Sequence, residues 1–199
     1  MKTSHALLHR LGWIGLVLTK LATIGFVLEA VIWPHQPKYK GKGMRIRSVA
    51  YFGGLAAIPA AWLSGNLEGE YPVAADLALT TPLLIDAAGN SLGIYDAARI
   101  DDAVHFLNAA VLSSLFGAVI SSHVSSRNRA AAATLAFGLI GEAAFDAMEY
   151  TADRIGFSGL GLSNEDTIAD TAMAALGTLV ATAATWARWQ PQQPGPEST

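Results

Sequence analysis

Residues 130–153 read Ala-Ala-Ala-Ala-Thr-Leu-Ala-Phe-Gly-Leu-Ile-Gly-Glu-Ala-Ala-Phe-Asp-Ala-Met-Glu-Tyr-Thr-Ala-Asp. The first half is apolar and carries no charge. The second half keeps that background but adds Glu142, Asp146, Glu149 and Asp153 at i, i+4, i+7 and i+11. On an α-helix this spacing places four carboxyl groups along one stripe. Carboxylates beside a long apolar segment are costly, so they demand a reason.

Similar apolar stretches recur at about 11–33, 48–64, 72–88, 104–120, 130–148 and 168–187. Several approach the ~20 residues that cross a bilayer as a helix. Trp13, Trp33, Trp62, Trp186 and Trp189 all sit at the ends of these stretches, the pattern of interfacial anchoring. The expected fold class is therefore all-α: a polytopic transmembrane helical bundle of about six segments. A soluble all-α bundle is the alternative that the tryptophans weigh against. Segment three contains Pro82 and carries Asp76 and Asp86 near its ends, so a tilted, kinked or re-entrant helix is expected there. A single transmembrane domain over 1–189 is expected, followed by a Pro/Gln-rich disordered tail over 190–199.

Composition agrees. Of 199 residues, 52% are hydrophobic and 15% charged, with mean hydropathy +0.35. Net charge is −3, and no basic face exists for nucleic acid. The absence of cysteine excludes disulfides, thiolate metal sites and cysteine nucleophiles.

Along the chain, Lys2 and Arg10 precede the first apolar run. That run is longer than the core of a signal peptide and holds Lys20 and Glu29, so an uncleaved first membrane helix is expected. Its two charges point into the bundle or reach towards the interface. Residues 34–47 form a basic loop with Lys38, Lys40, Lys42, Arg45 and Arg47, read as a topogenic cluster or as a contact with anionic lipid head groups over 38–47. Gly53, Ala57 and Ala61 make a small-residue stripe suited to close helix contact, as do Ala174, Gly177, Ala181 and Ala184.

Segment four opens with Asp101, His105 and Asn108 at i, i+4 and i+7, and segment six with Asp166 and Asp170. If segments four, five and six each cross the membrane, the start of four, the end of five and the start of six share one face. Asp101, His105, Asn108, Glu142, Asp146, Glu149, Asp166 and Asp170 then meet. Arg127, Arg129 and Arg188 lie at the other face, which by the positive-inside rule puts the acidic site on the extracytoplasmic side of a bacterial inner membrane. The basic 34–47 loop opposes that orientation.

Carboxylates with one imidazole suit a divalent cation. The metal-ligating candidates are Asp101, His105, Glu142, Asp146, Glu149, Asp166 and Asp170. Without a metal, His105, Glu149 and Glu142 are the catalytic candidates, with one carboxylate acting as acid or base beside the imidazole. Helix capping competes as an explanation for Asp101 and Asp166. No His-Glu-x-x-His, Glu-x-x-His, Gly-x-Ser-x-Gly or phosphate-loop signature occurs.

The run Asp86-Ala-Ala-Gly-Asn-Ser-Leu-Gly-Ile-Tyr-Asp96, the Asp-Asp-Ala-Val-His-Phe motif at 101–106, the Glu142/Glu149 pair and Asp166-Thr-Ile-Ala-Asp170 resemble the YjdF-like bacterial inner-membrane family over roughly 45–185. The resemblance implies a small polytopic helical membrane protein and names no reaction. That family would set its glutamates closer together, which makes Glu142 and Asp146 interchangeable here. The expected function is a His/carboxylate site near one membrane interface, serving metal-dependent hydrolysis or transfer on a lipid-like substrate. A cation or small-solute carrier and a structural membrane component are the alternatives.

Overall fold

A computed structural model describes residues 2–67, 69–94, 100–156 and 164–190; the side chains of residues 2–5, 100, 101, 164 and 166 lie outside the described set. Six long α-helices account for nearly all of it: α1 (Lys2–Ile32), α2 (Met44–Leu63), α3 (Val73–Leu92), α4 (Ile100–Ser121), α5 (Arg127–Arg154) and α6 (Asn164–Arg188). Among the described residues there is no strand. Five of the helices, all but α3, are long and apolar enough to cross a membrane. Leu18, Val49, Ile140 and Val180 are among many large apolar side chains left exposed, as expected of helices whose outer solvent is lipid. The chain is a multi-pass membrane protein. The tail beyond residue 190 and the glycine link at 157–163 lie outside the described residues.

The helices form two triplets. α4, α5 and α6 pack closely on one another, α1, α2 and α3 do the same, and α3 against α4 joins them. Close approach in the second triplet comes from missing side chains. A Cβ on Gly177 would lie 2.2 Å from the carbonyl oxygen of Phe106, so α6 meets the α4 backbone directly. The small-residue stripe of α6 therefore packs as its sequence predicts, with Ala174 and Ala181 fully buried. The α2 stripe does not. Gly53 meets nothing within 4 Å, and it is the neighbouring Gly54 whose Cβ would come within 2.6 Å of Leu83.

α3 explains why its sequence looked weak. It runs as one continuous helix through Pro82. Half of its buried residues are polar: Asp76, Thr80, Asp86, Asn90 and Ser91. The helix turns its polar face inward, so low apolarity marks an interior-facing helix. Lys20 reaches in from α1 to Asp76 at 2.7 Å and donates to the Leu55 carbonyl oxygen at 2.7 Å. Pro59, four residues beyond Leu55 in α2, has no N–H to offer that carbonyl. The lysine satisfies the acceptor that the proline orphans. Tyr71, just before α3, donates to Asp76 and stacks on Trp13 with ring centroids 5.1 Å apart. Burial, reinforced by Asp76, pushes the Tyr71 hydroxyl above the usual tyrosine range.

A candidate polar site between two helix triplets

The start of α2 and the end of α3 bring Arg47 and Asp86 together. Arg47 donates to both Asp86 oxygens, at 3.1 and 3.3 Å, and to the Lys42 carbonyl at 3.1 Å. Tyr51, one turn further along α2, also donates to Asp86, and Asn90 donates to it at 3.3 Å. From the other triplet, Glu149 of α5 approaches Arg47 at 3.6 Å. The guanidinium thus lies between carboxylates of the two triplets. Its three nitrogens serve three partners, Nη1 on Asp86, Nη2 towards Glu149 and Nε on the Lys42 carbonyl, a division that the single ammonium of lysine does not offer.

Beside it stands His105 of α4. Its Nδ1 is 3.5 Å from Glu142 of α5 and its Nε2 is 3.6 Å from Asp170 of α6. Each ring nitrogen faces a carboxylate, which fixes the ring plane, and Phe145 packs edge-on against it with centroids 6.4 Å apart. Asp146 is held separately, accepting from Thr171 at 2.9 Å. Glu149 is 7% exposed, and Glu142 Oε1 and Glu149 Oε1 accept no hydrogen bond among the described residues.

These groups border a cavity of about 320 Å³ between the triplets. Arg47, Asp86, His105, Asn108 and Glu142 form its polar end, while residues such as Leu83, Leu112 and Phe137 line the remainder. The volume falls at the lower end of small-molecule pockets, roughly 300–1,000 Å³.

The convergence expected for segments four, five and six is present for His105, Glu142 and Asp170. Glu149 joins through Arg47, and Asp146 stands aside. Asp101 and Asp166 lie in the first turns of α4 and α6, but their side chains lie outside the described residues, so neither the metal-ligating nor the capping reading of them is decided. Asp96 is likewise outside. Among the described residues no three of His, Asp and Glu converge as a metal-binding group.

Sequence reasoning missed Arg47, Tyr51 and Asp86 as members of the site. Arg47 belongs to the run read as a topogenic or lipid-facing basic cluster, yet it turns inward. Lys38 pairs with Glu29 at 2.5 Å, and this bond holds its ammonium above the usual lysine range. Lys42 donates to the Asn90 carbonyl at 3.3 Å, while Lys40 and Arg45 stay exposed. The available signal was phase. Arg47, Tyr51 and Gly54 follow i, i+4 and i+7 on α2, one helical face. Comparison with family models, curated proteins and solved structures finds no match.

Proposed function

We propose that this membrane protein receives the polar end of an amphiphile in the cavity between its two helix triplets and acts on it by proton transfer at His105. One observation carries the reading: an imidazole set between two carboxylates, at the polar end of an otherwise apolar cavity in a membrane bundle. Apolar walls suit methylenes, and the polar end suits a head group. A histidine whose nitrogens both face carboxylates can take a proton from a substrate group on one side while the other side holds the ring. Hydrolysis or transfer on a lipid-like substrate is the reaction class, with Glu142 and Asp170 positioning the ring and Arg47 holding Asp86 and Glu149 in place.

The site face is placed outside the cytoplasm of a bacterial inner membrane. Lys2, Arg10, Arg127, Arg129 and Arg188 lie towards the opposite face, and Arg47 is committed inside the bundle rather than free in its loop.

The test is photolabelling of reconstituted protein with a single-chain amphiphile bearing a diazirine. Labels should fall on cavity residues such as Leu112 and Phe137, and Val111→Trp, which fills the cavity, should remove them. His105→Gln should retain binding but flatten its dependence on pH. Labels confined to outward residues such as Leu179 and Val180, unaffected by Val111→Trp, would reject the reading. Stoichiometric divalent metal in the wild type that disappears in His105→Gln would replace it with a metal-centred one.

A further inference from the structure

The interior of the second triplet is polar well beyond the site. On α4, His105, Ala109, Ser113, Gly117 and Ser121 fall every fourth residue; on α5, Glu142, Gly138, Thr134 and Ala130 do the same in the opposite direction. On α6 the inward face carries Asp170, Thr178, Thr182, Thr185 and Trp189. Ser113, Thr134 and Thr178 are 1%, 0% and 0% exposed. These are hydroxyl groups in the centre of three membrane helices.

Their oxygens are underused. Ser113 Oγ, Thr178 Oγ1, Thr182 Oγ1 and Trp189 Nε1 are buried without a hydrogen-bond partner among the described residues. Buried polar groups of this kind are ordinarily satisfied by protein or by internal water. Two glycines let them approach one another. A Cβ on Gly138 would lie 2.4 Å from Thr178 Oγ1 and 2.6 Å from Ser113 Oγ, so these oxygens are no more than about 5 Å apart. A Cβ on Gly117 would lie 2.1 Å from Thr185 Oγ1 and 2.9 Å from Thr134 Oγ1, which sets the same limit further along, where Thr134 donates to the Ala130 carbonyl at 2.9 Å and is left as an acceptor. Roughly 5 Å is a span that one bridging water covers with two ordinary hydrogen bonds. The upper end is open to the site, because the cavity that His105 and Glu142 border also reaches Ser113 and Gly138. At the lower end Ser121 donates to the Gly117 carbonyl at 2.6 Å, and the orphaned Trp189 indole lies near the end of α6. From Asp170 to Trp189 the helical rise is about 28 Å, close to the hydrocarbon thickness of a bilayer.

We infer that the α4–α5–α6 interior is a proton path, in which water-bridged hydroxyls of Ser113, Thr178, Thr182 and Thr185 connect His105 to the opposite membrane face. It rests on the reading of His105 as a proton-exchanging group. The groups facing that imidazole are Glu142 from α5 and Asp170 from α6; Asp86 from α3 and Arg47 from α2 border the same cavity. Each hydroxyl accepts one proton from a neighbouring water as it passes its own onward. One proton taken up at His105 is therefore matched by one released at the far face, with nothing oxidised or reduced. The path gives the site exchange with the compartment that its substrate does not face.

The experiment is proton flux into liposomes holding the purified full-length protein, driven by a potassium gradient with valinomycin and read by an entrapped pH-sensitive dye. Wild type should carry flux above protein-free liposomes. Thr178→Val, which keeps the shape and removes the hydroxyl, should lower it about tenfold, as expected when one buried hydrogen-bonding step is lost; Thr178→Ser should restore it. Because the chain has no cysteine, hydration is measured independently. Cysteines placed at Thr178 and Thr185 should react with a small water-soluble thiol reagent, whereas one at the lipid-facing Leu179 should not. Wild-type flux no greater than that of empty liposomes, or flux unchanged in Thr178→Val, overturns the path, as do inert cysteines at Thr178 and Thr185. If His105→Gln still flattens the pH dependence of amphiphile binding in that case, the function proposed above stands without the path. If Thr178→Val lowers flux and His105→Gln does not, the path holds and the assignment of its entrance to His105 falls.

Discussion

Arg47 is the residue on which the two triplets meet. It is bonded to Asp86 from its own triplet and approached by Glu149 from the other. Removing one partner of a buried ion pair leaves the others charged and uncompensated, which costs about 3–5 kcal/mol. Arg47→Gln should therefore lower the thermal stability of the detergent-solubilised protein by that order. Arg47→Lys should recover only part of the loss, because one ammonium cannot serve Asp86, Glu149 and the Lys42 carbonyl as the three guanidinium nitrogens do. An unfolding transition for Arg47→Gln that superimposes on wild type would show that Asp86 and Glu149 find other compensation. Lys20 is another inward-reaching cation and behaves alike, answering a carboxylate and a carbonyl that Pro59 leaves without its helical donor.

At the scale of the element, glycines decide which helices touch. Gly177 places α6 directly on the α4 backbone, and no rotamer can relieve a clash between a new Cβ and the Phe106 carbonyl. Gly177→Ala should destabilise by roughly 1–3 kcal/mol, the range for overpacking. Gly25→Ala in α1, with nothing within 4 Å of the added carbon, should be neutral or slightly stabilising through helix propensity. Chemical denaturation of the two variants side by side compares them directly, and equal stabilities would mean that α4 and α6 separate at little cost. The small-residue stripe of α6 was legible in the sequence because it repeats over about three turns. On α2 the legible stripe through Gly53 faces outward, and the contact falls on Gly54, one position away. Two adjacent glycines give no sequence signal to say which of them meets a neighbour.

For the whole molecule, the question is whether α3 crosses the membrane with the others. It is a helix of 20 residues, about 30 Å long by its rise, and its polar face is covered by α1 and α2. Six crossings place Lys40 on the site face, with Asn66 and Ser125 together on the other. Were α3 to return without crossing, Ser125 would change sides. Single cysteines at these three exposed positions, probed in sealed vesicles with a membrane-impermeant thiol reagent, should show Asn66 and Ser125 labelled from the same side and Lys40 from the opposite one. Labelling of Ser125 from the side of Lys40 would show that α3 does not cross.

The sequence by itself determined a good deal. Apolar runs of membrane length, tryptophans at their ends and carboxylates at helical spacing dictate an all-α membrane bundle. Simple alternation of crossings then carries His105, Glu142 and Asp170 to one face, since periodicity and topology are local and additive properties of a chain. The tertiary structure alone decided that Arg47 leaves its basic loop for the interior, that Asp86 and Tyr51 complete the site, and that α3 buries its polar face. Those outcomes depend on which helix presents a complementary charge or an orphaned carbonyl at a given depth. A buried charge is tolerated only where its partner stands, and in this protein the partners are 39 residues away for Asp86 and 35 for the carbonyl that Lys20 satisfies.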